Sequence, residues 1–230
     1  TGVLIARWSP DGSKIAFHSS RALDGTDAAG PASNVWIVNP DGSGAVPVTR
    51  LTVAGATFPA WSPDGKKLAF ESARALDGSD AGNVNLTNNL WTMNADGSSP
   101  APLTRYTATG PMEIPFAWSP DGRRIAFSSL AALDGSDATN TNRAINLWVM
   151  NADGAGLTPL TRLTAAACFL DGWSLDGTSL LFDSARALDG SDAVNKNTTV
   201  NIWSTNADGT GVRPITMLQN ANSVEAAVKP

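Results

Sequence analysis

The chain is predicted to be an all-β protein, a β-propeller of four-stranded antiparallel blades, and three observations predict it. Trp-Ser-Pro-Asp-Gly occurs at Trp8–Gly12, Trp61–Gly65 and Trp118–Gly122, with a worn copy, Trp173-Ser-Leu-Asp-Gly177, at spacings of 53, 57 and 55 residues. A second tryptophan follows each, at Trp36, Trp91, Trp148 and Trp203, so that all eight tryptophans fall on two repeat positions. No segment keeps a sustained 3.6-residue period, which leaves short strands and turns as the reading of each unit.

Each element of the unit has its own reason. Ser-Pro-Asp-Gly combines the fixed φ of proline with a glycine that tolerates positive φ, which makes a tight reversal. The apolar triplets Ile15-Ala-Phe17, Leu68-Ala-Phe70, Ile125-Ala-Phe127 and Leu180-Leu-Phe182 follow as second strands. The third strands carry the second tryptophan and end in Asn39-Pro-Asp-Gly42, Asn94-Ala-Asp-Gly97, Asn151-Ala-Asp-Gly154 and Asn206-Ala-Asp-Gly209. Short fourth strands close on Val48-Thr49, Leu103-Thr104, Leu160-Thr161 and Ile215-Thr216. One four-stranded sheet cannot bury both of its faces, so the units must stack with tryptophan as filling.

The predicted organisation is one propeller domain over 1–230, with repeats at about 3–55, 56–110, 111–166 and 167–220. Residues 221–230 come into register with Trp-Ser-Pro at Val228-Lys-Pro230, as the inner strand of a fifth repeat or as ring closure. Val3–Arg7 already supplies a first inner strand, which favours a piece of a larger ring over four wide blades with a spare strand. A start on Thr1-Gly2 fits a processed form or a fragment.

Composition narrows function. Sixteen Lys and Arg against 21 Asp and Glu leave a net charge of −5, which argues against a nucleic-acid surface. No apolar run approaches a membrane span and none reads as a signal peptide. One cysteine, Cys168, and one histidine, His18, exclude an intrachain disulfide and multi-His or Cys-rich metal sites. Cys168 reads as a small buried apolar residue.

The recurring W-S-P-D-G-x-x-[IL]-A-F, L-W-x-M-N-A-D-G and P-L-T resemble the PD40 (WD40-like) repeat of TolB-like propellers, over nearly the whole chain. The resemblance implies a periplasmic or secreted binding module. The units here are longer than the family's, and the surplus lies between the second and third strands. These inserts are Arg21-Ala-Leu-Asp-Gly-Thr-Asp27, Arg74-Ala-Leu-Asp-Gly-Ser-Asp80, Ala131-Ala-Leu-Asp-Gly-Ser-Asp137 and Arg186-Ala-Leu-Asp-Gly-Ser-Asp192. A meander sends alternate loops to opposite rims, so the inserts share one rim and the Asp-Gly turns the other. Binding commonly resides on loops carried by a rigid scaffold, which makes the insert rim the candidate functional face.

Three inserts continue in a polar ladder, giving Asp80, Asn83 and Asn85; Asp137, Asn140 and Asn142; and Asp192, Asn195 and Asn197 as candidate ligand-binding residues. These groups read first as turn caps through side-chain-to-backbone bonds. A second reading is calcium held by Asp77, Asp80, Asp134, Asp137, Asp189 and Asp192, since a hard cation prefers oxygen donors. Otherwise no cofactor is expected. Arg21, Arg74 and Arg186 are expected to pair with insert aspartates.

Sixteen of the 21 acids sit on recurring positions; Glu71, Glu113, Asp171, Asp183 and Glu225 do not. The residue after the second-strand Phe runs His18, Glu71, Ser128, Asp183 through the repeats. Glu71 and Asp183 could serve as a carboxylate pair for glycoside hydrolysis, and His18 as a base with one of them. Polarity beside a wet channel is the plainer account. The leading reading is a non-enzymatic module that binds a protein or carbohydrate through its inserts; the alternative is a carbohydrate-active or other hydrolytic propeller. Partners are then a protein or glycan, with a homo-oligomer or a larger ring as the assembly.

Overall fold

The computed structural model describes residues 3–26, 28–108, 115–195 and 198–219. Its strands form four separate four-stranded antiparallel sheets, one for each predicted repeat. The first holds β1 (Val3–Trp8), β2 (Ile15–Arg21), β3 (Ala29–Val38) and β4 (Val46–Pro47) in that spatial order. The second holds β5 (Ala56–Trp61), β6 (Lys67–Ser72), β7 (Asn89–Asn94) and β8 (Ala101–Pro102). The third holds β9 (Phe116–Trp118), β10 (Arg124–Ser129), β11 (Asn146–Asn151) and β12 (Thr158–Pro159). The fourth holds β13 (Cys168–Trp173), β14 (Ser179–Ser184), β15 (Asn201–Asn206) and β16 (Arg213–Pro214). Among the described residues the only helical turn is a 3-10 turn at Val84–Leu86. The segment 221–230, expected to open a fifth repeat, lies outside the described residues.

The chain divides into two compact units, Thr1–Thr109 and Gly110–Pro230, each of two blades. In the first, Ala16, Val35 and Ile37 of one blade pack against Leu68, Phe70, Trp91 and Met93 of the next. In the second, Ala126, Leu147 and Val149 meet Leu180, Phe182 and Trp203 in the same way. The two-residue strand period explains the arrangement. Successive residues face opposite sides, so within each unit the first blade offers a small-residue face to the Phe and Trp face of the second.

The turns follow the residues that specify them. Ser9 donates its hydroxyl to Asp11 at 2.6 Å and accepts the Lys14 N–H, while Gly12 sits at φ +70°. The worn copy folds alike without its proline, with Ser174 to Asp176 at 2.6 Å and Gly177 at φ +68°. A further bond set fastens each outer strand. Asn89, fully buried, accepts the Thr104 hydroxyl and the Tyr106 N–H and donates to the Tyr106 carbonyl. Thr104 in turn accepts the Leu90 N–H. Asn34–Thr49, Asn146–Thr161 and Asn201–Thr216 repeat this clasp at the same 2.9 Å. The apolar-Thr ending of every repeat exists to be held by that asparagine.

The tryptophans do not all serve as filling. Trp36, Trp91, Trp148 and Trp203 are fully buried, but Trp8 is 60% exposed, and Trp61 is half-buried. Trp61 and Trp173 each reach back to the preceding inner strand, donating Nε1–H to the carbonyls of Arg7 and Ala117.

Candidate functional site

The insert rim is built from backbone bonds that the acidic and amide side chains complete. Asp24, Asp77, Asp134 and Asp189 each accept the N–H two residues on, from Thr26, Ser79, Ser136 and Ser191. Asp80 crosses to the linker between blades, accepting the Thr52 N–H at 2.8 Å, its hydroxyl at 2.6 Å and the Val53 N–H at 3.3 Å. Asp192 does the same with Thr164 and Ala165 in the second unit. Partial burial alone would raise both carboxyls, but the threonine hydroxyl and the N–H donors outweigh it and hold them below the usual range. Asp137 is exposed at the equivalent place.

The amide ladder is likewise spent on framework. Asn83 is 6% exposed, accepts the Val84 N–H and donates to the carbonyls of Thr87 and Tyr106. Asn140 donates to the Ala144 carbonyl and accepts the Asn142 N–H. Asn85 donates to the Thr107 carbonyl, Asn142 is exposed, and Asn195 is half-buried. Asn197 lies outside the described residues. The ladder therefore frames the inserts of the second and third blades through Asn83, Asn85 and Asn140. A cation at the insert aspartates would compete with these N–H donors, and among the described residues no three His, Cys, Asp or Glu are placed to share a metal.

The expected charge pairing is present but is not what positions the arginines: after the hydrogen bonds from Thr26, Ser79 and Ser191, the charges of Arg21, Arg74 and Arg186 help hold Asp24, Asp77 and Asp189 below the usual carboxylate range. Each guanidinium lies over a buried indole, Trp36, Trp91 or Trp203, at 5.0, 5.1 and 4.9 Å from the ring centroid, and donates to the carbonyl of Gly25, Gly78 or Gly190. Stacking covers the ring face while the planar fork still reaches a carbonyl. The residues that do face solvent were missed. Val84 and Leu86 are 63% and 69% exposed, and Leu86, Arg143 and Thr198 occupy one column at φ +52° to +54°. Non-glycine residues held in that conformation carry strain. The available signal was variety: the ladder recurs between blades, whereas Leu86, Arg143 and Thr198 differ.

The off-repeat column joins blades. His18 is 1% exposed, its Nδ1 accepts the Phe58 N–H at 3.3 Å, and its ring packs against Phe58 at 5.4 Å. Phe58, at φ +52°, lies in the irregular stretch of β5 between Thr57 and Ala60, where its N–H leaves the ladder. Ser128 accepts the Leu170 N–H at 2.8 Å in the second unit. Glu71 is 3% exposed; Asp183 is half-buried opposite Phe169, and Asp171 sits at the irregularity of β13. Glu113 and Glu225 lie outside the described residues. Burial lowers the His18 pKa from 6.5, which keeps its imidazole neutral near pH 7, and pushes the Cys168 thiol up to about 12, so that thiol is not a ready nucleophile near neutrality.

A cleft of about 870 Å3 opens at the other rim of the first unit, where Pro10, Asp11, Pro47, Trp61, Asp64 and Asp96 converge from the turns of both blades. Its acids are held ionised. Asp11 falls to about 2, through the Ser9 hydroxyl first and then the Ser13 N–H, and Asp176 reaches about 2 through Ser174 and Thr178 in the second unit. A carboxyl depressed from 3.8 stabilises the fold above about pH 4, and that stability is lost as pH falls toward 2. His18, held neutral, adds a loss that begins below 6.5. Melting temperature is therefore expected to fall gently below about pH 6.5 and steeply between about pH 4 and pH 2. A flat profile over the acid interval would contradict this.

Comparison with known proteins fits the geometry. No family model matches the chain. Over 121 residues it is 33% identical to the uncharacterized peptidase YuxL of Bacillus subtilis (strain 168), covering 52% of this chain and 16% of that protein. The structure of TolB from Acinetobacter baumannii superposes with a TM-score of 0.59 at 16% identity, covering 96% of this chain and 45% of TolB. A puromycin-hydrolyzing peptidase of Mycobacterium tuberculosis gives 0.59 at 17% identity, covering 99% of this chain and 30% of the peptidase. The fold is that of a TolB-like β-propeller. The chain spans less than half the length of each of these relatives.

Proposed function

We propose that this chain is a non-enzymatic propeller module, periplasmic or secreted, that binds a protein or glycan through its insert rim. The observation that carries the reading is the state of its one histidine. His18 is buried and its Nδ1 already accepts a backbone N–H, which removes the general base that a Ser-His or Cys-His centre would need. The insert tips supply the contrasting feature: exposed, differing residues at Leu86 and Arg143, held in strained backbone by a frame that repeats. A rigid frame with variable tips suits recognition.

The hydrolytic alternative is favoured by one observation, the 33% identity to a peptidase over half the chain. Under that reading this chain would be the propeller portion of a longer enzyme. Glu71→Gln combined with Asp183→Asn separates the two. The double variant is expected to leave any hydrolysis of peptide or glycoside substrates unchanged, while Leu86→Asp and Arg143→Glu weaken capture on peptide and glycan arrays by about tenfold. Turnover that disappears in the double variant, with circular dichroism unchanged, overturns the binding reading.

A further inference from the structure

The two units carry the same inter-blade groove at their turn rims, and the repeat identifies what fills one of them. Trp61, Gly65 and Lys14 of the first unit correspond to Trp173, Gly177 and Arg124 of the second. Both tryptophans are anchored alike, each indole N–H donating at 3.1 Å to the preceding inner strand. The glycines also match: a Cβ on Gly65 would lie 3.7 Å from Pro10, and one on Gly177 would lie 3.5 Å from Pro120.

The plug differs. In the second unit the Arg124 guanidinium lies 4.8 Å from the centre of the Trp173 ring and donates to the Gly177 carbonyl at 3.0 Å. In the first, Lys14 instead gives its ammonium to the Asn39 side-chain oxygen at 2.6 Å. Trp61 is left half-buried beside the cleft, with Asp11, Asp64 and Asp96 around it. A lysine cannot both stack flat on an indole and reach a carbonyl, whereas a planar guanidinium does both. That difference accounts for one groove being filled and the other open.

We propose that the Trp61 cleft is a receptor for an arginine side chain of a polypeptide partner. The guanidinium lies on the Trp61 ring, bonds the Gly65 carbonyl as Arg124 bonds that of Gly177, and is balanced by the three carboxylates. Charge complementarity points the same way, since the lining acids outnumber the one lysine, which is already engaged. The assignment rests on the binding-module reading but uses the rim opposite the inserts.

The test follows the Trp61 indole resonance in 15N-labelled protein during titration with acetyl-Gly-Arg-Gly-amide. The neutral citrulline analogue and the lysine analogue serve as controls. The arginine peptide is expected to give a saturable shift, with both controls at least about tenfold weaker. Lys14→Arg should install the plug found in the second unit and remove the shift while the protein stays folded. No saturable shift, equal binding of the citrulline peptide, or unchanged binding by Lys14→Arg overturns the proposal. Those failures leave the insert-rim reading standing. Loss of turnover in the Glu71/Asp183 double variant would overturn the binding reading and leave the Trp61 titration unchanged.

Discussion

Asn89→Ala is expected to destabilise the first unit by about 3 kcal/mol, because it strips a buried clasp without offering water in its place. The lost bonds are the Thr104 hydroxyl at 2.9 Å, the Tyr106 N–H at 2.7 Å and the Tyr106 carbonyl at 2.9 Å. The Tyr106 carbonyl keeps Asn83 as a donor, but its N–H loses the Asn89 oxygen in a site closed to solvent. An orphaned buried donor costs about 1–3 kcal/mol, and the cavity left by the amide adds to it. Asn89→Asp is not a rescue. It keeps the acceptor but turns an anionic oxygen on the Tyr106 carbonyl where Nδ2 had donated. Asn85→Ala is the control, since Asn85 is exposed and gives one bond to Thr107. Urea denaturation of the three variants reads the difference; a loss below about 1 kcal/mol for Asn89→Ala would mean the clasp does not hold the outer strand.

The same contrast explains how much of the molecule its sequence could reveal. Blades, turns and the location of the inserts were legible because each depends on local chemistry that repeats: proline and glycine at reversals, a two-residue alternation in strands, tryptophan at fixed intervals. The clasp was half legible. Thr104 stood out as recurring, and an asparagine stands two residues before each second tryptophan (Asn34, Asn89, Asn146 and Asn201), but nothing local says that residues 15 apart share a bond. Roles set by a neighbouring strand or blade were not legible. Arg74 has acids close in sequence, so an ion pair is the natural expectation, yet the indole of Trp91 becomes its neighbour only once the strands pair. His18 reads as a candidate base until the irregularity in β5 delivers the Phe58 N–H to it. The cleft was least legible. It depends on Lys14 and Arg124 choosing different partners at equivalent places, a difference that looks conservative as letters.

Inter-blade packing can be tested at one repeated position, the glycine of the Asn-x-Asp-Gly turn. Gly42, Gly97 and Gly209 adopt φ of +84°, +87° and +84°, so alanine at any of them incurs the same left-handed strain, about 1 kcal/mol. Their surroundings differ. A Cβ on Gly42 meets nothing within 4 Å. On Gly209 it would lie 2.8 Å from the Leu160 carbonyl oxygen. On Gly97 it would fall inside the Val48 carbonyl oxygen and 3.0 Å from the carbonyl carbon, which is backbone in the preceding blade and cannot turn aside. Gly42→Ala is thus expected to cost about 1 kcal/mol, Gly209→Ala more, and Gly97→Ala about 3 kcal/mol or above. Because the strain is common to all three, the differences isolate the approach of one blade to the next. Equal losses at the three positions would show that the blades do not stack at this distance in solution. The graded order would fix the wedge-to-wedge contact on which both the Trp61 cleft and the His18 bridge depend.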